Sequence, residues 1–144
     1  MKKLIALLLS LSVFSGVAFA EDSMKADGVK KVVIQVSTAD ETVQKIALNN
    51  AVNLMKALGP DGVDVEIVAY GPGLSLLTGK SPQSKRVPDL AMQDITFSAC
   101  ANTMKKIEKK TGKKPKLVEG VKVVPAGVMR IVELQEQGYS YIRP

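Results

Sequence analysis

Two counts limit the chemistry open to this chain: one cysteine and no histidine in 144 residues. Without imidazole, Ser-His-Asp and Cys-His catalysis and all His-ligated metal sites are excluded. A single thiol also cannot form an intrachain disulfide. That thiol, Cys100, stands where a short apolar strand, Ile95 to Ala99, passes into a helix, Ala101 to Lys110. A thiol at a helix N-terminus feels the positive end of the dipole and the free backbone N–H groups of the first turn, and both favour thiolate. Lys105 and Lys106 follow in the same helix and could add to this. The functional reading is a nucleophilic or sulfur-carrying cysteine. The bland one is a small buried hydrophobe at the end of a core strand, a common role for free cysteine. The residues alone leave both open.

The remaining candidates come from the strand ends, because open α/β sheets bind ligands beyond the carboxyl ends of their strands. Those ends read Ser37, Tyr70-Gly71-Pro72-Gly73, Cys100-Ala101-Asn102-Thr103 and Pro125-Ala126-Gly127, and they are expected to converge on one rim. Asn49, Asn50 and Asn53 lie in mid-helix, where asparagine is a poor helix former. They are read either as hydrogen-bonding to backbone or to a subunit partner, or as surface residues. Two nucleotide motifs nearly occur and are rejected. Gly73 to Ser81 has five residues between its glycines where a P-loop has four, and Pro82 blocks the helix that must follow. Gly71-Pro72-Gly73 lacks the third glycine of a dinucleotide fingerprint. No cofactor and no metal site is expected.

The elements that must position these residues follow from periodicity. Lys31 to Ser37 and Val63 to Tyr70 are buried strands, and Val121 to Val124 and Tyr139 to Arg143 complete a set of five with Ile95 to Ala99. Asp40 or Thr38 caps a helix from Glu41 to Leu58 that Gly59-Pro60 stops, with Val43, Ile46, Ala47, Leu54, Met55 and Leu58 at helical spacing. Leu74 to Leu77 suggests one helical turn, Thr78 to Ser84 a loop, and Lys85 to Gln93 a short helix. Val128 to Gln137 reads as a helix with Met129, Val132 and Leu134 or Glu133 bordering its apolar face, ended by Gly138. Strand–helix alternation at this spacing implies βαβ units and a mostly parallel sheet covered on both faces.

The N-terminus sets the compartment. Lys2 and Lys3 precede an apolar run from Leu4 to Val17, and Ala18-Phe19-Ala20 gives a small-x-small cleavage site before polar Glu21-Asp22-Ser23. This is the pattern of a secretory signal peptide, residues 1–20, cleaved after Ala20. The run is shorter than the ~20 apolar residues a spanning helix needs. A polar lead-in is expected at 21–31 and a single domain at 32–144. Loss of Lys2 and Lys3 leaves 18 basic and 14 acidic side chains, a formal charge of +4. Seven lysines between Ala101 and Lys116, against Glu108 alone, account for the excess. A charge so local is unlike an evenly basic nucleic-acid binder, and it suits either a solvated helix end or an anionic ligand or membrane surface.

Several blocks together resemble the exported, single-cysteine branch of the DsrE/DsrF-like proteins. They are Val33 to Ser37, Ala47-Leu48-Asn49-Asn50-Ala51 with Asn53, VDVEIVAYGPGL (63–74), FSACANTM (97–104), VKVVPAGVMRIVELQEQGY (121–139) and the closing Tyr141 to Pro144. The resemblance implies a three-layer α/β/α domain with a five-stranded, mainly parallel sheet and assembly into trimers or hexamers. It further implies a periplasmic sulfur carrier in which Cys100 accepts sulfur as a persulfide from a donor protein. In this reading backbone N–H groups near Asn102 and Thr103 stabilise the anion. Tyr70, Gly71, Pro72, Gly73, Pro125, Ala126, Gly127 and Asn50 would line the site. Any activity would be sulfur transfer rather than hydrolysis or nucleotide-linked redox chemistry. The other reading is a non-catalytic module that binds a small anion or assembles with its own copies, with Cys100 structural.

Overall fold

Five stretches rich in β-branched residues pair into one sheet in the computed structural model, which describes residues 28–144. The strands are β1 (Lys30–Val36), β2 (Val63–Ala69), β3 (Thr96–Cys100), β4 (Val121–Val124) and β5 (Ser140–Ile142). Their order is β4-β3-β2-β1-β5 and every pairing is parallel. The helices are α1 (Glu41–Leu58), α2 (Val87–Ala91), α3 (Ala101–Thr111) and α4 (Gly127–Glu136), with 3-10 segments at Gly71–Leu77 and Pro82–Arg86. No helix among the described residues is long and apolar enough to cross a membrane. The expected signal peptide lies outside the described residues, as does the lead-in up to residue 27. Lys30 and Lys31 pair with Val63 and Asp64, so β1 takes up the last residues assigned to that lead-in.

The connections explain the layering. From β1 to β4 the chain steps along the sheet in one direction, and α1, α2 and α3 pack on one face. The last connection reverses direction to place β5 beside β1, and a right-handed crossover can do so only over the opposite face. Among the described residues that face carries α4 alone.

The two faces differ in content. The first holds the main core: Ile34, Val65, Ile67 and Phe97 from the sheet meet Ala47, Leu48 and Ala51 of α1, the 3-10 leucines Leu74, Leu76 and Leu77, and Met104 of α3. Asp40 caps α1, its Oδ1 accepting from the N–H groups of Thr42 and Val43 at 2.8 and 3.0 Å. The buried edge of α1 runs through Gln44, Ala47, Leu48 and Ala51, whereas Ile46, expected on that edge, is 42% exposed. Gln44 is buried because its Nε2 donates to Thr38 O and to Ser75 Oγ, tying the start of α1 to the 3-10 segment.

The second face has a small apolar cluster, Val33, Val68, Ile131 and Leu134, and a polar network beside it. Glu66 of β2 is 3% exposed. Its Oε1 accepts from Ser98 Oγ at 2.6 Å and Arg130 Nε at 2.8 Å, and its Oε2 accepts from Arg130 Nη2 at 2.7 Å and Lys122 Nζ at 3.2 Å. Tyr139 donates to Asp64, and Tyr141 donates to Gln35 Oε1 at 2.8 Å. The α4 stripe that meets the sheet is Gly127, Arg130, Ile131 and Leu134. Met129 and Val132, expected to face the core, are instead 52% and 41% exposed, because docking Arg130 on Glu66 rotates them outward.

Burial by itself would raise the Glu66 carboxyl, but hydrogen bonds from Arg130, then Ser98 and Lys122, outweigh it and hold the carboxyl below its ordinary value. Removing Arg130 takes two of the four hydrogen bonds, and the nearer of two cations, from a buried charge. Arg130→Met is expected to lower stability by about 3–5 kcal/mol, and adding Glu66→Gln should restore part of the loss. Because the folded-state pKa is the lower one, the unfolded chain binds more protons in acid. The contribution of Glu66 is complete above the unfolded carboxylate value of ~4.3 and is lost as pH falls through the folded value. Urea unfolding across pH 2 to 7 checks this: the acid loss of stability should be smaller in Glu66→Gln than in the parent.

Candidate functional site

Strand register aligns the expected rim. Val36 pairs with Ala69, Ala69 with Ala99, and Cys100 with Val124, so Ser37, Tyr70, Cys100 and Pro125 follow side by side at the carboxyl ends. After β3 the chain enters α3 on one face, and after β4 it enters α4 on the other. The ends of these neighbouring strands therefore flank the crevice where doubly wound sheets take their ligands. Cys100 occupies that crevice.

Cys100 is the N-cap of α3, with φ −73° and ψ 115°. Strand alternation turns Phe97 and Ala99 into the main core and Ser98 and Cys100 toward α4. The thiol is 5% exposed and lies against the start of α4. A Cβ added to Gly127 would come within 3.3 Å of the Cys100 Cβ and 3.0 Å of Tyr70 Cβ and Cδ1. Only a residue without a side chain lets α4 begin so close to the sulfur. Neither α3 nor α4 has a side-chain cap, so two uncapped, positive helix ends meet at one thiol.

Burial pushes the Cys100 thiol up. The Thr103 hydroxyl, then the backbone N–H groups of Gly127, Thr103 and Asn102, outweigh it and bring the thiol below its ordinary value. The Asn102 N–H also donates to Pro125 O at 3.3 Å. Thr103 is held in place from behind: its Oγ1 accepts from Gly71 N–H at 2.9 Å, which leaves its own proton for the sulfur. Gly71 has a φ of +54°, a conformation few other residues adopt readily. The lysines at 105 and 106 are exposed, and the near donors rather than these charges acidify the thiol.

The single pocket expected at this rim is two grooves with Cys100 between them. Gly71, Pro72 and Thr103 line one of about 360 Å3. Pro125 and Ala126 line another of about 400 Å3, with Met129, Arg130 and Glu133 of α4. Gly73 lines neither. A Cβ there would sit 2.1 Å from Val36 O, so this glycine allows the 3-10 segment to pass against β1. Tyr70 is half-buried and packs on the α4 cluster. Asn50 is not at the site: α1 leaves the rim at Asp40, and ten residues of helix carry it about 15 Å away. Asn49 accepts from Arg86 Nη2 at 3.0 Å. A hollow of about 560 Å3 lies between α2 and Glu119–Lys122. It opens at the amino ends of β3 and β4, away from the thiol. Among the described residues no group of three or more acidic or cysteine side chains could hold a metal ion.

The profile of the DsrE/DsrF-like family matches residues 30–144. The chain belongs to that family. Among solved structures, this DsrE/DsrF-like domain is similar to a protein of unknown function from Methanobacterium thermoautotrophicum, with 37% identity and a TM-score of 0.70. The match covers 80% of this chain and 99% of that one. No curated protein matches.

In this DsrE/DsrF-like chain the residues that sequence reasoning missed are Glu66, Ser98, Lys122 and Arg130. Their signal was present in β2, where Asp64 and Glu66 alternate with valine and isoleucine, since such period-2 polarity marks a face that needs polar partners. If Thr103 and Gly127 acidify Cys100 as their positions dictate, Thr103→Val reduces the thiolate fraction at neutral pH about tenfold, the worth of one hydrogen bond to a charged group. Gly127→Ala, which moves α4 back, also raises the thiol pKa. Thiolate absorbance against pH, with Cys100→Ser as blank, reads both. An unchanged titration in both variants would show that these donors do not act on the sulfur.

Proposed function

We propose that the protein is a periplasmic DsrE-like sulfur carrier that accepts sulfur on Cys100. The observation that carries this reading is the place of Cys100, N-cap of α3 with the start of α4 closed against it at Gly127, where the Thr103 hydroxyl and nearby backbone N–H groups bring the thiol below its ordinary value. A thiolate is the form that attacks sulfur. The Cys100 anion would attack the outer sulfur of a donor persulfide, R–S–SH. A new S–S bond forms at Cys100, the donor S–S bond breaks, and the donor leaves as its thiolate, with no net oxidation. The same N–H groups then face the persulfide anion. Read as an export signal, the N-terminal pattern of Lys2, Lys3, the apolar run to Val17 and Ala18-Phe19-Ala20 supports a periplasmic exchange with donor and acceptor proteins of that compartment.

Assembly with further copies fits the same reading. Val128, Met129 and Val132 on the outer side of α4 are 58%, 52% and 41% exposed, and Val123 and Tyr141 add apolar surface at the two sheet edges. A trimer or hexamer that covers this side of α4 would remove those residues from water.

One observation favours a second reading, a binding or assembly module with a structural thiol: Cys100 is 5% exposed. Reaction of the mature chain with a low-molecular-weight persulfide separates the two. A carrier gains one sulfur atom, about 32 Da, at Cys100 under native conditions, passes it to an added thiol, and shows no gain in Cys100→Ser. A thiol that takes up sulfur or iodoacetamide only after unfolding would leave the module reading.

A further inference from the structure

The groove of about 360 Å3 beside Cys100 runs between the first 3-10 segment and α3. Its α3 wall is Thr103, Lys106, Ile107 and Lys110. These positions are spaced i, i+3, i+4 and i+7, which places them on one helical face. A face turned to a concave wall ordinarily carries apolar residues, yet two of these four are lysines. Lys80 adds a third positive charge from the other side, and Leu74 and Pro115 give apolar contact beside Ile107. No aspartate or glutamate lines the groove. None of the three lysines has an ion pair among the described residues, whereas Lys122 and Arg130 are both committed to Glu66. Three unpaired cations around an apolar recess repel one another until an anion enters.

We infer that this groove binds a small organic anion, a molecule with a carboxylate, sulfonate or phosphate group on a compact apolar body. Lys80, Lys106 and Lys110 surround the charge, and Leu74, Ile107 and Pro115 contact the body. Thr103 is the wall the groove shares with the thiol, so a ligand here lies one side chain from Cys100. The inference rests on the groove residues alone and holds whether or not Cys100 carries sulfur. Lys105 and Lys109 provide an internal control, since they belong to the same helix and the same charge cluster but do not line the groove.

The test is a titration of the 15N-labelled mature protein with benzenesulfonate, and with benzenesulfonamide as its neutral counterpart. It is run at physiological ionic strength, where screening over about 8 Å weakens diffuse attraction. The sulfonate is expected to give saturable shifts at the amides of Gly71, Thr103, Lys106 and Lys110 in the millimolar range, and the sulfonamide none. Lys106→Gln with Lys110→Gln should weaken binding about tenfold, while Lys105→Gln with Lys109→Gln, an equal change in net charge, should alter it less than about twofold. Equal losses in the two double variants, or shifts that never saturate, would reduce the groove to a patch of surface charge. Equal binding of the neutral compound would also overturn the inference. So would capture by phosphatidylglycerol vesicles that both double variants weaken alike, which would make the cluster a membrane-facing patch.

Discussion

Glu66 holds a charge where the fold has little else to hold α4. The second face of the sheet is covered by a ten-residue helix whose buried apolar side chains are Ile131 and Leu134. Burying each stabilises the docked helix by about 1.5–3 kcal/mol, but two aliphatic contacts do not fix its rotation or its height along the sheet. The bidentate Arg130–Glu66 pair does both. Two parallel N–H···O bonds constrain the guanidinium plane, and Ser98 and Lys122 lock the carboxylate from β3 and β4. The start of α4, and with it the Gly127 N–H that faces Cys100, depends on that anchor.

The other face works differently, and the site needs both. Around Ile34, Ile67 and Phe97 the sheet is packed with aliphatic side chains from α1, α3 and the 3-10 leucines, so β3 and the first turn of α3 have little freedom. The thiol is therefore held between a rigid wall, set by close packing, and a helix end set by hydrogen bonds. Burial by itself would leave Cys100 a poor nucleophile. The surrounding donors reverse the sign, and they can do so only at short range in a dry site. The low exposure and the acidification of this thiol thus have one origin, two helix ends brought close enough to exclude water.

The strands, α1 and the approximate place of every other helix were legible because their signals are local: β-branched runs, an Asp40 cap, Gly59-Pro60 as a stop. The rim was legible too, since the parallel register follows from short βαβ connections. The orientation of α4 was not. Its sequence offers two stripes, Met129 with Val132 and Ile131 with Leu134, and hydrophobicity does not choose between them. The choice is made by Arg130, whose partner is 64 residues away in β2. For the same reason the pocket was misdrawn as one space. That Gly73 is consumed by packing on Val36, and that Asn50 lies far down α1, are facts of tertiary distance rather than of composition.

Thr103 joins the parts of the site that the sequence left separate. Its hydroxyl oxygen is fixed by Gly71 N–H, and its single proton is the strongest donor to the Cys100 anion. The same side chain forms part of the lysine-lined groove. An anion bound there and a thiolate at position 100 draw on one proton, and a hydroxyl has no second to give. Any ligand that takes it must raise the thiol pKa, and by linkage any change that discharges the thiol must free Thr103 for the groove. Two negative charges one side chain apart act in the same direction. If the groove takes an anion while Cys100 is a thiolate, the shared Thr103 proton and the repulsion between the two charges set the two occupants against each other.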